Sequence, residues 1–249
     1  MKFVVFTYGI VSYALGVASL LYLICFLNNT VVPKTIDTLP MGGAAAEVAV
    51  AVVVVVDLIL VGLFALQHSI MARPAFKAHW TRIVPKPAER STYVLATALV
   101  LALLFWQWLP LPGVVWNVEN RLGKSFLQAL FWLGWAITFA STFMINHFDL
   151  FGLRQVYLRL KDEPYRPLPF VQVALYRFVR HPIMLGLLIA FWATPTMSLG
   201  HLLFAVASTV YIFIGIALEE HDTQQALGEN YTRYRRETSM IVPLPRSKS

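Results

Sequence analysis

The chain has 249 residues and a mass of 28.1 kDa, with 58% hydrophobic residues, 13% charged residues and a formal net charge of +7. Soluble domains are about 45–50% apolar and about 25% charged, so this composition excludes a disordered chain, a secreted disulfide scaffold and an ordinary soluble enzyme. The single cysteine, Cys25, lies in an apolar run, which leaves no disulfide framework and no cysteine metal site. The composition predicts an integral membrane protein.

Four apolar stretches are long enough to cross a bilayer core, which requires about 20 residues. They lie near residues 3–27, 44–70, 92–109 and 126–145. A fifth stretch, 183–218, is interrupted by Pro195 and Gly200 and predicts a C-terminal helical hairpin whose first arm is short. The sequence therefore predicts an all-α, polytopic transmembrane helical bundle with six membrane helices, or five if the short arm does not span.

The distribution of lysine and arginine predicts how this bundle is oriented. With a cytoplasmic N-terminus, all of the 20 Lys and Arg residues except Lys34, Arg121 and Lys124 lie in cytoplasmic segments. Such a bias is typical of the cytoplasmic loops of membrane proteins, so both termini are predicted to be cytoplasmic. Anionic lipid headgroups attract a basic face of this kind, which explains the net charge without a nucleic-acid partner.

Two polar residues stand out in the second apolar stretch. Asp57, Val61, Phe64 and His68 are spaced so that they share one helix face, which must be turned into the bundle. An ionisable group at this depth is either a hydrogen-bonded packing group or functional. For Asp57 the sequence favours packing over catalysis. His68, followed at the same helix end by Arg73, is either interfacial or part of a site.

The fourth stretch ends in an unusually dense group of polar and aromatic residues. The segment reads Asn146-His147-Phe148-Asp149-Leu150-Phe151-Gly152-Leu153-Arg154. It can be a solvated helix end that Gly152 terminates. The aromatic residues need a packing partner, however, and this favours a site that includes His147, Asp149 and Arg154.

Two later segments carry charged residues at the same predicted membrane boundary. Pro182 suits the first turn of a helix, whose free N–H groups, together with Arg180 and His181, suit a carboxylate ligand. Glu219 and Glu220 lie at the end of the last membrane arm, where the helix dipole disfavours carboxylates, so they call for a cationic partner, either an arginine or a ligand. Four stretches at one depth predict a single pocket.

The C-terminal third resembles the isoprenylcysteine carboxyl methyltransferase superfamily of integral membrane methyltransferases. The resemblance rests on Arg180-His181-Pro182, a hairpin with Gly186, the pair Glu219-Glu220, and Tyr231, Tyr234 and Arg235 ahead of Val242-Pro243. Met184 departs from the pattern, since many members carry tyrosine there. The resemblance implies that S-adenosylmethionine binds to Tyr176, Arg180, His181, Pro182, Leu185, Gly186, Glu219, Glu220, Tyr231, Tyr234 and Arg235.

This resemblance also implies which residues bind each part of S-adenosylmethionine. The cofactor carboxylate is expected on Arg180, His181 and the following helix N-terminus. Its amino group and sulfonium are expected on Glu219, Glu220 and aromatic faces. Three further residues are expected to close over the adenosine: Tyr231, Tyr234 and Arg235.

The rest of the chain resembles the bacterial membrane-bound methanethiol S-methyltransferases, neighbours of the NnrU-type proteins. The resemblance rests on residues 67–74, 89–93 and 145–154. It implies methylation of methanethiol to dimethyl sulfide in the bacterial inner (plasma) membrane, with the active site on the cytoplasmic side. It implies one domain over 1–249, with the membrane core and acceptor side in 1–150 and the S-adenosylmethionine-binding part in 151–249. The expected partners are a small-molecule thiol and the lipid bilayer.

This activity would require a thiolate. A free alkyl thiol has a pKa of about 9–10, so a base or a cation must favour its anion. His68 could be the base, or His147 oriented by Asp149, and Arg73 or Arg154 could stabilise the thiolate. The sequence does not choose among them. A small apolar pocket for methanethiol is expected to be lined by Phe148, Leu150 and Phe151.

Two other functions stay open at this point. One is a related methyltransferase that acts on a prenyl-cysteine or on another small acceptor, and a lipid-sized acceptor would need a tunnel between helices into the bilayer. The other is a non-enzymatic NnrU-like membrane component, which would bind no S-adenosylmethionine.

Overall fold

The computed structural model describes residues 1–39 and 49–243. Within these residues the α-helices are α1 (Lys2–Leu27), α2 (Val50–Ala72), α3 (Pro74–Trp80), α4 (Glu89–Gln107), α5 (Arg121–Ile145), α6 (His147–Leu150), α7 (Leu153–Lys161), α8 (Pro182–Trp192), α9 (Leu199–Leu227) and α10 (Glu229–Glu237). Two short strands, β1 (Val114–Asn117) and β2 (Thr196–Ser198), pair antiparallel.

Five helices in the described part of the chain are long and apolar enough to cross a membrane, namely α1, α2, α4 with the short 3-10 turn before it, α5 and α9. The predicted helical bundle is thereby confirmed. The 11-residue α8 is about 16 Å long, roughly half of a bilayer core. It is the short arm of the predicted hairpin, because the His201 ring bonds to the Phe191 carbonyl at 2.9 Å and the Trp192 indole donates to Thr209 at 3.0 Å.

The helix boundaries extend beyond the apolar stretches at their polar ends. The helix α4 begins at Glu89, and α5 begins at Arg121, where the Asn120 side chain accepts the Gly123 N–H at 2.6 Å. The prediction used apolar residues alone, so it missed the polar first turn of each helix. A capping side chain stabilises such a turn by accepting one of its free backbone N–H groups. Residues 44–48 of the predicted second stretch lie outside the described residues, and α2 begins at Val50.

The helix ends meet in two groups. At one end, Lys2 pairs with Asp162, Arg90 donates to the Leu150 carbonyl at 2.7 Å, and α2 is tied to the far end of α9. At the other end, Lys34 donates to the Trp106 carbonyl, and the two strands lie there. The described segments that the charge pattern assigned to one side of the membrane, up to residue 243, are therefore at one end of the bundle, called the basic end below.

The two-stranded sheet was not predicted from the sequence. Trp116 is paired with Met197 and Val114 with Ser198, and the register is irregular between them. Strands of three and four residues are too short for an alternation of apolar and polar residues to be recognised. The sheet joins the segment after α4 to the turn of the α8–α9 hairpin.

The buried Asp57 carboxyl is explained by the fold. One of its oxygens accepts the N–H of Leu109 at 3.0 Å, just beyond the last residue of α4. The side chain is fully buried. This bond supports the packing interpretation of Asp57, since a buried backbone N–H needs a partner.

Helix α8 packs closely on α5 through two glycines. A Cβ atom on Gly186 would lie 2.5 Å from the Gly134 carbonyl oxygen and still closer to the Thr138 hydroxyl, and a Cβ on Gly134 would meet Ala190. Real side chains do not approach so closely, so only glycine permits this distance between the two helices. In the structure Gly186, predicted to contact the cofactor, has a packing role.

We expect Gly186→Ala to destabilise the protein by about 1–3 kcal/mol, because the added methyl group must push α8 away from α5. Thermal unfolding of the purified protein in detergent measures this loss. Gly62→Ala is the matched control, since a Cβ on Gly62 meets no atom within 4 Å. Equal unfolding temperatures for the two variants would contradict the packing role.

Candidate active site

A buried carboxylate organises the basic end of the bundle. One oxygen of Glu220 accepts from Arg180 Nε at 2.7 Å and lies 3.1 Å from His181 Nε2, and its other oxygen lies 3.2 Å from Arg235 Nε. The Glu220 side chain is only 9% exposed. Removing a charge from water is costly, so a carboxylate at this depth is stable only with several such partners. We call these four residues the Glu220 cluster.

The chain after α10 holds the Glu220 cluster in place. Arg180 N–H donates to the Ser239 carbonyl at 2.8 Å and His181 N–H to the Met240 carbonyl at 3.1 Å. The Arg180 guanidinium also donates to the Thr238 carbonyl. This guanidinium is 6% exposed and has its partners within the protein. It therefore joins α8, α9 and the segment after α10 rather than facing an open site.

Aromatic residues of α10 form a wall beside the cluster. Tyr231 and Tyr234 are buried 5.9 Å apart, Phe170 packs edge-on against both, and the Tyr234 hydroxyl donates to the Tyr176 carbonyl at 2.6 Å. Burial raises the pKa of Tyr234 to about 12 and also raises the pKa of Tyr176 and Tyr231. These phenols therefore stay neutral at physiological pH, and their rings are suited to stacking or to a cationic ligand.

Glu219 differs from its neighbour in being open to solvent. Its side chain is 55% exposed, and its carboxylate lies 3.8 Å from His181 Nδ1. His181 precedes α8, whose first residue is Pro182. An exposed carboxylate beside a helix N-terminus offers both a negative and a positive electrostatic surface, which suits a zwitterionic amino-acid group.

His68 lies between α2, α4 and α9. Its Nε2 is 2.7 Å from the Tyr93 hydroxyl, and its Nδ1 is 3.4 Å from the Thr97 hydroxyl, which donates its own proton to the Tyr93 carbonyl. Nδ1 therefore carries the ring proton and Nε2 accepts from Tyr93. The ring stacks on Phe64 and lies edge-on to Tyr211 of α9.

Arg73 connects the same end of α2 to α9. Its guanidinium donates to the Asp222 carboxylate at 2.8 Å and to the Leu218 carbonyl at 2.9 Å. Asp222 and Leu218 are on the helix that carries Glu219 and Glu220. The structure thus brings the predicted His68 and Arg73 to the helix of the Glu220 cluster, with Arg73 already paired.

His147 has the same hydrogen-bonding pattern on other helices. Its Nδ1 is 2.8 Å from Thr142, whose hydroxyl donates to the Phe139 carbonyl, and its Nε2 is 3.0 Å from the Tyr13 hydroxyl. Its ring stacks on Phe143 at 4.2 Å. Burial lowers the pKa of His147, so the ring is neutral and both of its nitrogens are bonded to residues of α1 and α5.

The lowered pKa of His147 predicts acid lability. As the pH falls below 6.5, the ordinary pKa of histidine, His147 becomes protonated in the unfolded chain before it does in the folded chain. The free energy of unfolding therefore decreases as the pH falls through that range. We expect the unfolding temperature of the wild type to decrease more steeply below pH 6.5 than that of His147→Gln. Parallel curves would show that His147 does not titrate differently in the two states.

Asp149 does not orient His147, contrary to the expectation from sequence. Its two oxygens accept from Arg154 at 2.9 Å and from the Tyr165 hydroxyl at 3.3 Å. The ring nitrogens of His147 are hydrogen-bonded to Thr142 and Tyr13 instead. The carboxylate is therefore a partner of Arg154, and Arg154 is not an unpaired cation.

The three residues predicted to line the apolar acceptor pocket, Phe148, Leu150 and Phe151, have different surroundings in the structure. Phe148 is 52% exposed, and Phe151 packs on Tyr13 and His147. Leu150 borders a polar cleft of 710 Å³ instead. Its charged lining includes Lys77, Lys86, Arg90, Asp149, Arg159 and Glu163. Such a lining suits an ionic ligand rather than a small thiol.

Sequence reasoning missed the hydroxyl partners of the two histidines. Tyr93 and Thr97 are one turn apart on α4, and Tyr13 is in the middle of α1. The signal was available, because polar groups inside membrane helices pair with one another. Asp222 was likewise passed over as the partner of Arg73.

The helices and the site define a class of protein. In the described residues, five helices are long and apolar enough to cross a membrane, and a buried ion-pair cluster lies at one end of the bundle. This is a polytopic helical membrane protein.

Several known proteins of nearly the same length are similar to this chain. The chain is 51% identical to the methanethiol S-methyltransferase of Mycobacterium tuberculosis over 98% of both chains. It is 50% identical to methanethiol S-methyltransferase 1 of Bradyrhizobium diazoefficiens, over 99% of this chain and 84% of that one. The chain therefore belongs to the methanethiol S-methyltransferase family. A more distant relative is the nurim homologue of Drosophila pseudoobscura, 33% identical over 71% of this chain and 72% of that one. No family model and no solved structure matches the chain.

Proposed function

We propose that this protein catalyses the S-adenosylmethionine-dependent methylation of methanethiol to dimethyl sulfide in the bacterial plasma membrane, with its site on the cytoplasmic side. The observation that carries this proposal is the 45–51% identity to methanethiol S-methyltransferases over nearly the full chain. The cytoplasmic side is proposed because the basic end holds most of the lysine and arginine.

The residues of the basic end fit this methyl donor. S-Adenosylmethionine, when bound, supplies an electrophilic methyl group on a positively charged sulfur. The exposed Glu219 would accept its ammonium group, and the N-terminus of α8 would hold its carboxylate, with the buried His181 positioned beside Glu219. Tyr176 and Leu185 flank these groups in sequence and would contact the rest of the donor.

Other predicted donor-binding residues are better explained as supports. Arg180 and Glu220 are buried and paired with each other, so they would position α8 against α9 rather than touch the donor. Arg235 joins α10 to the same carboxylate. Tyr231 and Tyr234 would form the wall of the site. In this proposal residues 151–249 form the donor side, and residues 1–150 supply most of the acceptor side.

Headspace gas chromatography of cells that express the chain and receive methanethiol tests this function. We expect dimethyl sulfide above the level of cells with an empty vector. Membranes from the same cells, incubated with S-adenosylmethionine and either methanethiol or a farnesylated cysteine, identify the acceptor. Methylation of the prenyl-cysteine alone, or of neither compound by folded protein, would overturn the proposal.

A further inference from the structure

Helices α2 and α9 leave a gap at Gly215. On α9, Tyr211 lies one turn before Gly215, and its hydroxyl is 3.5 Å from that of Ser69 on α2. Leu218 lies one turn after it and accepts from Arg73 of α2. Between these two contacts, a Cβ added to Gly215 would meet no atom within 4 Å. The same face of α9 therefore touches α2 above and below an open space at Gly215.

A proton-accepting pair lies beside this gap. Tyr93 donates to His68 Nε2, and the His68 ring lies edge-on to Tyr211, one turn from Gly215. Both ring nitrogens of His68 are hydrogen-bonded, so a ligand reaches the pair only through the Tyr93 hydroxyl oxygen, which retains acceptor capacity.

Charged groups surround the pair on every helix packed against it. On α4 the Arg90 guanidinium lies 4.9 Å from the centre of the Tyr93 ring, and on α2 Arg73 lies within one turn and a half of His68. On α9 the Glu219 carboxylate, one turn beyond Gly215, interacts electrostatically with the hydroxyls of Tyr93 and Tyr211. Asp222, on the same helix, pairs with Arg73. Glu219 thus lies at the junction between this pair and the donor side.

We propose that the acceptor thiol binds in the gap at Gly215 and that the Tyr93–His68 pair takes its proton. The inference rests on the proposed function and adds the place of the acceptor and the identity of the base. Tyr93 oxygen accepts the thiol proton while its own proton passes to His68 Nε2. The acceptor sulfur then forms the new S–C bond, the S–C bond of the donor sulfonium breaks, and the electron pair of that bond stays on the donor sulfur. His68 finally releases its proton to solvent.

His147 does not share this placement. Its hydrogen bonds and ring contacts go to α1 and α5 and to its own short helix, whereas those of His68 go to α4 and to α9, the helix of Glu219. His68 and His147 each bond to one threonine and one tyrosine, but only His68 lies beside α9. Tyr13 is the natural control for Tyr93.

Filling the gap tests the acceptor site. We expect Gly215→Leu to raise KM for methanethiol by about tenfold or more, since side-chain volume would occupy the site of a small apolar substrate. Its affinity for S-adenosylhomocysteine in calorimetry is expected to match the wild type. Gly62→Leu is the control, because Gly62 is also open but its neighbours one turn away, Ile59 and Leu66, are each 62% exposed, against 38% for Leu218 beside Gly215. An unchanged KM in Gly215→Leu would overturn the site.

Removing one hydroxyl tests the base. We expect Tyr93→Phe to lower kcat by about 100-fold and to make kcat rise with pH, because the thiolate must then come from solution. Tyr13→Phe, which removes the matching hydroxyl beside His147, is expected to keep the wild-type pH profile. A Tyr93→Phe variant with a wild-type profile, or a Tyr13→Phe variant with the rising profile, would assign the base elsewhere.

The outcomes separate this inference from the proposed function. If the wild type forms no dimethyl sulfide, the proposed function fails first. If the wild type is active and neither Gly215→Leu nor Tyr93→Phe shows its expected change, only the acceptor site is wrong. Should Gly215→Leu fail to fold, Gly215→Ala and Gly215→Val provide a graded series, in which KM is expected to rise with side-chain volume.

Discussion

Glu220→Ala is expected to lose about 3–5 kcal/mol of stability and, with it, all binding of S-adenosylmethionine. The substitution leaves the buried Arg180 guanidinium without its carboxylate, and an uncompensated buried charge is strongly destabilising. It also releases His181 and Arg235, so α8, α9 and α10 lose their common partner. Thermal unfolding in detergent and calorimetry with S-adenosylmethionine measure the two losses.

The double variant Arg180→Met with Glu220→Leu is the control for Glu220→Ala, because it removes both buried charges together. Buried ion pairs replaced together by apolar residues are often as stable as the original, so the double variant is expected to recover part of the stability lost in Glu220→Ala. A Glu220→Ala protein that unfolds at the wild-type temperature would show that the cluster does not hold the three helices together.

Glu219→Gln is expected to have the opposite profile: affinity for S-adenosylmethionine falls about tenfold, whereas stability changes by less than about 0.5 kcal/mol. The Glu219 carboxylate is half exposed, so its removal affects a bound ammonium group more than the fold. Calorimetry on the purified protein gives the affinity, and thermal unfolding gives the stability.

Glu229→Gln controls for the change in net charge, because Glu229 is an exposed carboxylate at the first position of α10. It is expected to bind S-adenosylmethionine like the wild type. If Glu219→Gln and Glu229→Gln bind equally well, Glu219 has no part in the donor site.

The membrane spans were predictable because a long apolar run has few other structures available to it in a bilayer. The same reasoning located the basic end, since lysine and arginine mark one side, and it predicted Pro182 at the start of a helix. The contacts between helices were not predictable. The lipid-facing and the helix-facing sides of these helices are both apolar, so hydrophobicity does not distinguish them. The sequence pattern therefore did not predict that Gly186 lies against Gly134.

The site was predicted as a list of residues but not as an arrangement. His147, Asp149 and Arg154 lie within eight residues of the sequence, which suggested that they act together. In the structure the helix break at Asn146 turns His147 towards Tyr13, and Asp149 pairs with Arg154 instead. Conversely, the pairing of Arg73 with Asp222 joins residues that lie far apart in the chain. Such partners depend on tertiary packing, which charge and spacing do not encode.

Transfer of a labelled methyl group to methanethiol is the most direct test of the central claim. Purified protein in lipid nanodiscs would receive methanethiol and S-adenosylmethionine deuterated in its methyl group, with mass spectrometry of the headspace. Methyl transfer at the basic end predicts dimethyl sulfide that carries one deuterated methyl group, together with an equal amount of S-adenosylhomocysteine. Folded protein that binds the donor but forms neither product would contradict it.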